Sequence, residues 1–359
     1  MSRVKNVGLW VALIFTSAVV AVGLQWASFP AATLLGPLLA GVAFALCGAD
    51  LTVPRWAFAG GQSVVGCMVA MSMTPAVLAT LGRNWSAILL AIVLVLIFGA
   101  LVGYGLMRFG SLPGTTAAWG SSPGGAAAMT AMAEAYGADI RMVAFMQYLR
   151  IFVVALTASA VAHLLLGGQA ADLPAPNWSP GFDAPLIPLA QTLALVAAGV
   201  ALGRLTRIPG GALLLPMVAG AVLNSLGLLH ITLPPWLLWS AYAGLGWYIG
   251  LRFTPQTLRY ALRALPQILL AIVVLMALCG LAAWMLTAWV GMDPLSAYLA
   301  TSPGGLDIVA IIAADSGCDV AFVLSLQTLR LFAVVLTGPL TARLICRISA
   351  GNARDTLRT

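Results

Sequence analysis

Long apolar stretches separated by short polar ones recur along the whole chain. Each has roughly the length that an α-helix, rising 1.5 Å per residue, needs to cross a hydrocarbon core about 30 Å thick. The pattern predicts an all-α polytopic membrane protein. The twelve stretches lie at about 8–27, 31–49, 56–73, 85–107, 115–137, 140–166, 186–205, 209–229, 236–252, 265–290, 295–316 and 320–346.

Composition supports lipid as the solvent, because 62% of the residues are hydrophobic and 8% are charged. A typical soluble domain is about 25% charged. The five cysteines form no C-x-x-C pair, and the two histidines lie apart from them, so neither a metal centre nor a cofactor is predicted. No nucleophile stands at a recognisable motif spacing from a base, and we therefore expect no enzyme.

The chain repeats itself at an offset of 180 residues. Ser-Pro-Gly-Gly at 122–125 recurs at 302–305, and between residues 122 and 157 the two copies are identical at 15 of 36 positions. Matches extend upstream, where Thr74-Pro75 pairs with Thr254-Pro255. The sequence predicts a first membrane repeat at 1–167, an external linker at 168–185, a second repeat at 186–346 and a cytoplasmic tail at 347–359.

Charge predicts how the repeats are oriented. With twelve spans, eight Lys and Arg residues lie in cytoplasmic loops and seven outside, against the positive-inside rule. If the two Ser-Pro-Gly-Gly segments are re-entrant, 14 lie inside and Arg83 alone outside. We therefore expect about ten transmembrane helices, two inverted repeats and cytoplasmic termini, an organisation typical of secondary transporters.

The Ser-Pro-Gly-Gly segments are the first candidate site. Serine is a common helix N-cap and proline suits the first helical turn, so a helix is predicted to begin at each and to aim its N–H groups at mid-membrane. Gly137 is predicted to end that helix, and Asp139 and Asp319 to cap the next. The candidate binding residues here are Ser122, Pro123, Gly124, Gly125, Ser302, Pro303, Gly304 and Gly305.

A buried Gln-x-x-Arg motif is the second candidate. Gln147 and Arg150 share one helical face, as do Gln327 and Arg330, and Arg150 lies about ten residues, or about 15 Å, into its segment. A charge at that depth is costly and needs a partner. Two hypotheses stay open: the arginines contact an anionic ligand, or they clamp carbonyls or a buried acid, for which Asp307, Glu134 and Asp315 are candidates.

Asp307 makes the two copies chemically different, because Ala127 occupies its position in the first copy. A lone carboxyl in a low dielectric has a raised pKa and could exchange a proton during transport. The alternative is that Asp307 neutralises Arg150 or Arg330.

The motifs W-G-S-S-P-G-G (119–125), Y-G-A-D-I-R (136–141), M-Q-Y-L-R (146–150), T-S-P-G-G-L-D (301–307) and Q-T-L-R-L-F (327–332) carry a family resemblance. Over nearly the whole chain, the sequence resembles the AbrB duplication family of bacterial inner-membrane proteins. The resemblance implies a role in regulating gene expression, linked to the alkylation-response gene aidB. Short cytoplasmic loops leave no room for a DNA-reading module, so such regulation would be indirect.

The leading functional hypothesis is a secondary transporter or exporter of a small anionic solute; proton exchange at Asp307 is compatible with it, and the coupling ion is left open. The alternative is a membrane sensor that regulates gene expression without transport or DNA binding. An interaction scaffold is a third hypothesis. The expected partners are the lipid bilayer and a small molecule or ion; nucleic acid is not expected, and an oligomer is compatible with the sequence.

Overall fold

The computed structural model describes residues 2–27, 32–165, 185–206, 208, 210–304, 309 and 318–355. Every regular element within those residues is an α-helix, which confirms the all-α prediction. The predicted linker, apart from Pro185, lies outside the described residues. The helices are α1 (Ser2–Trp26), α2 (Ala32–Leu46), α3 (Arg55–Met71), α4 (Pro75–Phe109), α5 (Gly114–Ser121), α6 (Ala126–Ala135), α7 (Ile140–Leu165), α8 (Leu186–Thr206), α9 (Gly211–Ser225), α10 (Pro235–Gly250), α11 (Pro255–Val290), α12 (Pro294–Thr301) and α13 (Val320–Asp355).

Several helices are long and apolar enough to cross a membrane. Within the described residues there are five, namely Val7–Trp26, Asn84–Phe109, Leu186–Thr206, Pro255–Val290 and Val320–Leu344. Large apolar side chains such as Phe15 and Leu270 are 70% and 65% exposed, as expected for surfaces that face lipid. These observations agree with a membrane protein, and the number of spans stays a prediction.

The chain forms two compact units, and each unit takes one part of each predicted repeat. Unit 1 consists of Met1–Ser72 and Pro174–Leu262, and unit 2 of Met73–Leu173 and Arg263–Thr359. Helices α1–α3 and α8–α10 belong to unit 1. Helices α4–α7, α12, α13 and most of α11 belong to unit 2, which therefore contains every described candidate site residue.

Glycines bring helices of unit 1 close together. A Cβ atom at Gly66 of α3 would lie 3.0 Å from the Pro216 ring and closer still to the Leu213 carbonyl oxygen, both in α9. A Cβ atom at Gly246 of α10 would lie 3.0 Å from Pro37 Cβ and from the Leu34 carbonyl oxygen in α2. Small residues at such crossings let two backbones approach, as is common between helices in membranes.

In unit 2, helices α4 and α11 run antiparallel. Just after α4 ends, the Ser111 N–H donates to Gln267 Oε1 (3.1 Å), which lies within the first half of α11. Near the other end, Asn84 of α4 and Val290 of α11 line one cavity of about 310 Å³. The two helices begin at Pro75 and Pro255, 180 positions apart.

The helix boundaries at Ser-Pro-Gly-Gly differ from the prediction. Ser122 is the C-cap of α5, and its N–H donates to the Ala118 carbonyl. Helix α6 begins three residues after Pro123, with Gly125 as its N-cap at φ 64°. The prediction of Ser122 as an N-cap was wrong: Ser122 ends the preceding helix, where Gln147 and Arg150 bind its carbonyl, and the N-cap is Gly125, whose positive φ glycine adopts readily. In the second copy Ser302 likewise ends α12.

The residues predicted to end one helix and cap the next behave as expected. Gly137 follows α6 at φ 70°. One carboxylate oxygen of Asp139 accepts the Arg141 N–H (3.0 Å), and one of Asp319 accepts the Phe322 N–H (2.9 Å). Both aspartates therefore cap the helices that carry the Gln-x-x-Arg motifs.

Candidate functional site

Gln147 of α7 holds the end of helix α5. Its side-chain Nε2 donates to the carbonyls of Trp119 (2.8 Å) and Ser122 (2.9 Å). The last carbonyls of a helix have no intrahelical donor, and a buried end needs another partner. Gln147 is fully buried and supplies that partner from a neighbouring helix.

Arg150, one turn further along α7, reaches the same carbonyl. Its Nη1 donates to the Ser122 oxygen (2.8 Å), and the side chain is 2% exposed. Ser122 O therefore accepts from both Gln147 and Arg150. At the helix break before Pro123, the Ser122 carbonyl therefore lies beside a buried positive charge.

The second copy builds the same arrangement 180 residues later. Gln327 Nε2 donates to the carbonyls of Leu299 (2.7 Å) and Ser302 (3.2 Å). Arg330, 3% exposed, donates from Nη1 to the Ser302 oxygen (2.5 Å). The Gln-x-x-Arg motif therefore binds the carbonyls at a helix end in both copies.

The two copies differ in whether the arginine hydrogen-bonds to the glutamine of its own motif. Arg330 Nη2 donates to Gln327 Oε1 (2.5 Å) and lies 3.4 Å from the Gly304 carbonyl. Gln147 Oε1 is buried without a hydrogen-bond partner in the described part of the chain. The same is true of Nε in Arg150 and in Arg330. Both guanidinium groups therefore keep a donor that the described residues do not use.

Neither arginine is neutralised by an acid that the structure describes. The ion pair between Arg141 and Asp139 (2.8 Å) involves neither of them. Arg150 and Arg330 lie within electrostatic reach of one another and of the Cys279 thiol of α11. Two desolvated like charges without a counter-charge are energetically costly.

Each broken segment packs against the long helix of the other copy. At Gly124 a Cβ atom would collide with Val334 Cγ1 of α13. At Gly304 a Cβ atom would lie 3.2 Å from Val154 Cγ1 of α7. Val154 and Val334 are themselves 180 positions apart, so the two contacts are reciprocal.

Two small cavities border the site. One of about 10 Å³ lies beside Arg150 and is also lined by Ser121 and Met146. The other, also about 10 Å³, is lined by Ser122, Pro123 and residues of α13. Each has about the volume that one water molecule requires.

The structure brings most predicted site residues together in unit 2. They are Ser122, Pro123, Gly124, Gly125, Gln147, Arg150, Ser302, Pro303, Gly304, Gln327 and Arg330. Gly305 and Asp307 lie outside the described residues, as does Asp315. The carbonyl contacts are those of a clamp, while a ligand-binding role stays a prediction.

Sequence reasoning missed the hydroxyl groups that hold the broken segments. The Thr116 hydroxyl accepts the Asp139 N–H (3.1 Å), and the Ser296 hydroxyl accepts the Asp319 N–H (3.0 Å). Residues 116 and 296 are 180 apart, and both carry a hydroxyl. Conservation of the hydroxyl, rather than of residue identity, between the copies is the signal that could have identified them.

The ion pair at the start of α7 predicts an acid-dependent stability. Burial raises the pKa of Asp139, but the hydrogen bonds and charge of Arg141 outweigh it and hold that pKa below its ordinary value. The stabilisation is therefore complete above the ordinary pKa of about 3.9 and is lost as pH falls through the lower folded-state pKa.

We expect Asp139→Asn, which can still cap the helix, to be less stable than the parent protein at pH 7. The difference should shrink as the pH falls below about 4. Thermal unfolding in detergent at several pH values measures it. A difference that stays constant from neutral to acidic pH contradicts the interpretation.

Comparison with known proteins places the chain in a family. The family model described as "Transition state regulatory protein AbrB" matches residues 33–346. The chain belongs to the AbrB family. Within it, the chain is 50% identical over 337 residues to "Putative regulator AbrB" of Escherichia coli (strain K12), covering 94% of this chain and 96% of that protein.

A more distant similarity is found with a protein of another bacterium. The chain is 26% identical over 303 residues to "Uncharacterized protein YhjN" of Bacillus subtilis (strain 168), which covers 81% of this chain and 79% of that protein. The resemblance inferred from the Ser-Pro-Gly-Gly and Gln-x-x-Arg motifs is thereby confirmed at the level of the AbrB family.

Proposed function

We propose that this AbrB-family protein is a secondary carrier that moves a small anionic solute across the bacterial inner membrane. The observation that carries the proposal is the pair Arg150 and Arg330. Each is at most 3% exposed, each holds the carbonyl at a helix break, and no described carboxylate neutralises either. A small anion bound near both would offset their desolvation.

Several features support an inverted repeat as the frame of this carrier. Helices α4 and α11 begin 180 residues apart and run antiparallel, as inversion requires. The packing of Gly124 on Val334 and of Gly304 on Val154 is reciprocal. In secondary carriers, broken helices of inverted repeats commonly form the substrate site near mid-membrane.

Counterflow in proteoliposomes tests the proposal. The purified full-length chain would be reconstituted into liposomes, and the liposomes loaded with one unlabelled small carboxylate or phosphate at a time. Uptake of the same compound in labelled form would then be measured. We expect saturable counterflow of at least one anion. Uptake is expected to rise in the presence of an inward proton gradient if Asp307 exchanges a proton.

The matched variants are Arg330→Gln and Arg343→Gln, which lie on the same helix. Arg330 is buried and faces the broken segment, whereas Arg343 is exposed. We expect Arg330→Gln to reduce flux about tenfold or more, equivalent to about 1.4 kcal/mol, and Arg343→Gln to keep it. Equal rates in the two folded variants, or no counterflow of any anion by the folded parent, contradict the proposal.

A regulatory role is the second candidate, favoured by the name of the relative from Escherichia coli. In that case an anion would bind at Arg150 and Arg330 without crossing the membrane. Isothermal titration with the same anions separates the two functions. Saturable binding that Arg330→Gln weakens, together with absent counterflow, would support a sensor.

A further inference from the structure

An apolar groove runs along unit 2 between the second half of α4 and the middle of α11. Its volume is about 350 Å³. Its lining runs from Leu101 on α4 to Gly110, the C-cap of that helix, and on α11 from Gln267 to Leu278. Leu101 and Leu270 are 56% and 65% exposed, so the groove opens on an apolar outer face.

The dimensions of the groove match one lipid chain. From Leu101 to Gly110 a helix rises by about 14 Å, close to half of a hydrocarbon core about 30 Å thick. A Cβ atom added at Gly105 would meet nothing within 4 Å, so the groove is open at this residue. A single acyl chain of one leaflet fits such a space.

One end of the groove is polar and positively charged. Gln267 Nε2 donates to the Ser111 hydroxyl (2.7 Å) at that end. Arg108 lies beside groove residue Phe109, and Arg263 lies one helical turn before Gln267; both arginines are exposed. Guanidinium groups bind phosphate oxygens well, often through two hydrogen bonds.

The opposite end of the same helix pair has the other charge. The cavity beside Asn84 and Val290 is lined by Asp293 and Asp319 rather than by arginines. Charge complementarity therefore favours an anionic headgroup at the end that carries Arg108 and Arg263.

We propose that this groove binds one acyl chain of an anionic phospholipid whose phosphate contacts Arg108 and Arg263. The proposal does not depend on transport. Val102, Leu106 and Ala271 line both this groove and the small cavity beside Arg150. A bound chain consequently lies one layer of side chains from the candidate site.

Native mass spectrometry of the full-length protein tests this site. The protein would be titrated with dioleoyl phosphatidylglycerol or with dioleoyl phosphatidylcholine, which has the same chains. We expect tighter binding of phosphatidylglycerol. Replacing Arg108 or Arg263 with glutamine should weaken it about fivefold each, the effect of about one surface charge.

The shape of the site is tested by filling the groove. Gly105→Leu should reduce phosphatidylglycerol binding at least tenfold. Gly280→Leu is the matched control, because Gly280 lies on α11 outside the groove lining and a Cβ atom there also meets nothing within 4 Å. The proposal is overturned if the two leucine variants bind alike, if both lipids bind equally, or if dihexanoyl phosphatidylglycerol binds as tightly as the long-chain lipid.

Discussion

Replacement of Arg330 by methionine is expected to destabilise the folded protein by about 2–3 kcal/mol more than replacement of Arg150 by methionine. Within the described residues, Arg150 donates to the Ser122 carbonyl alone. Arg330 donates at short distance to the Ser302 carbonyl and to Gln327 Oε1. Loss of Arg330 therefore leaves an additional buried acceptor without its charged donor.

The comparison between the two variants is more informative than either one alone. Removing a buried charge also removes its desolvation cost, which offsets part of the lost hydrogen bonding. Arg150 and Arg330 are 2% and 3% exposed, so this offset should be similar at both positions. Methionine is unbranched and flexible, and it fills much of the vacated volume.

Equilibrium unfolding in mixed micelles measures the difference. Gln327→Leu supplies the control, because in that background Arg330 has no side-chain amide oxygen to bind. We expect Arg330→Met to cost less there than in the parent protein, with an interaction energy of about 1–3 kcal/mol. Equal losses at Arg150 and Arg330, or additive effects of Arg330→Met and Gln327→Leu, would show that this hydrogen bond adds little.

The helices were largely predictable because the length and hydropathy of a span are local properties. Helix α11, for example, covers the whole apolar stretch predicted at 265–290 and begins ten residues earlier. The break at Ser-Pro-Gly-Gly was also predictable, since proline and glycine interrupt a helix. The buried position of Arg150 followed from its distance into the apolar stretch, and the structure agrees.

The role of Ser122 was not predictable by the same reasoning. Serine before proline is compatible with the end of one helix or the start of the next. The choice depends on Gln147 and Arg150, which lie 25 and 28 residues later in the chain and bind the Ser122 carbonyl. Likewise, the composition of units 1 and 2 depends on packing between distant segments, which hydropathy along the chain does not encode.

Alanine at Gly66 or Gly246 is expected to destabilise unit 1 by about 1–3 kcal/mol, the usual cost of overpacking. At Gly246 the new Cβ atom would lie 2.9 Å from the Leu38 nitrogen and 3.0 Å from the Leu34 carbonyl oxygen. At Gly66 it would collide with the Leu213 carbonyl oxygen. These neighbours are backbone atoms, so a whole helix must move to relieve the contact.

Gly60 and Gly244 are matched controls on the same two helices, since a Cβ atom at either would meet nothing within 4 Å. Alanine there should be neutral or stabilise by up to about 1 kcal/mol, because it restricts the unfolded chain more than glycine does. The change in unfolding free energy should therefore have opposite signs at the two kinds of site. One unfolding assay then distinguishes close packing from helix propensity. If all four variants changed stability alike, close approach at Gly66 and Gly246 would not hold α3 against α9 or α10 against α2.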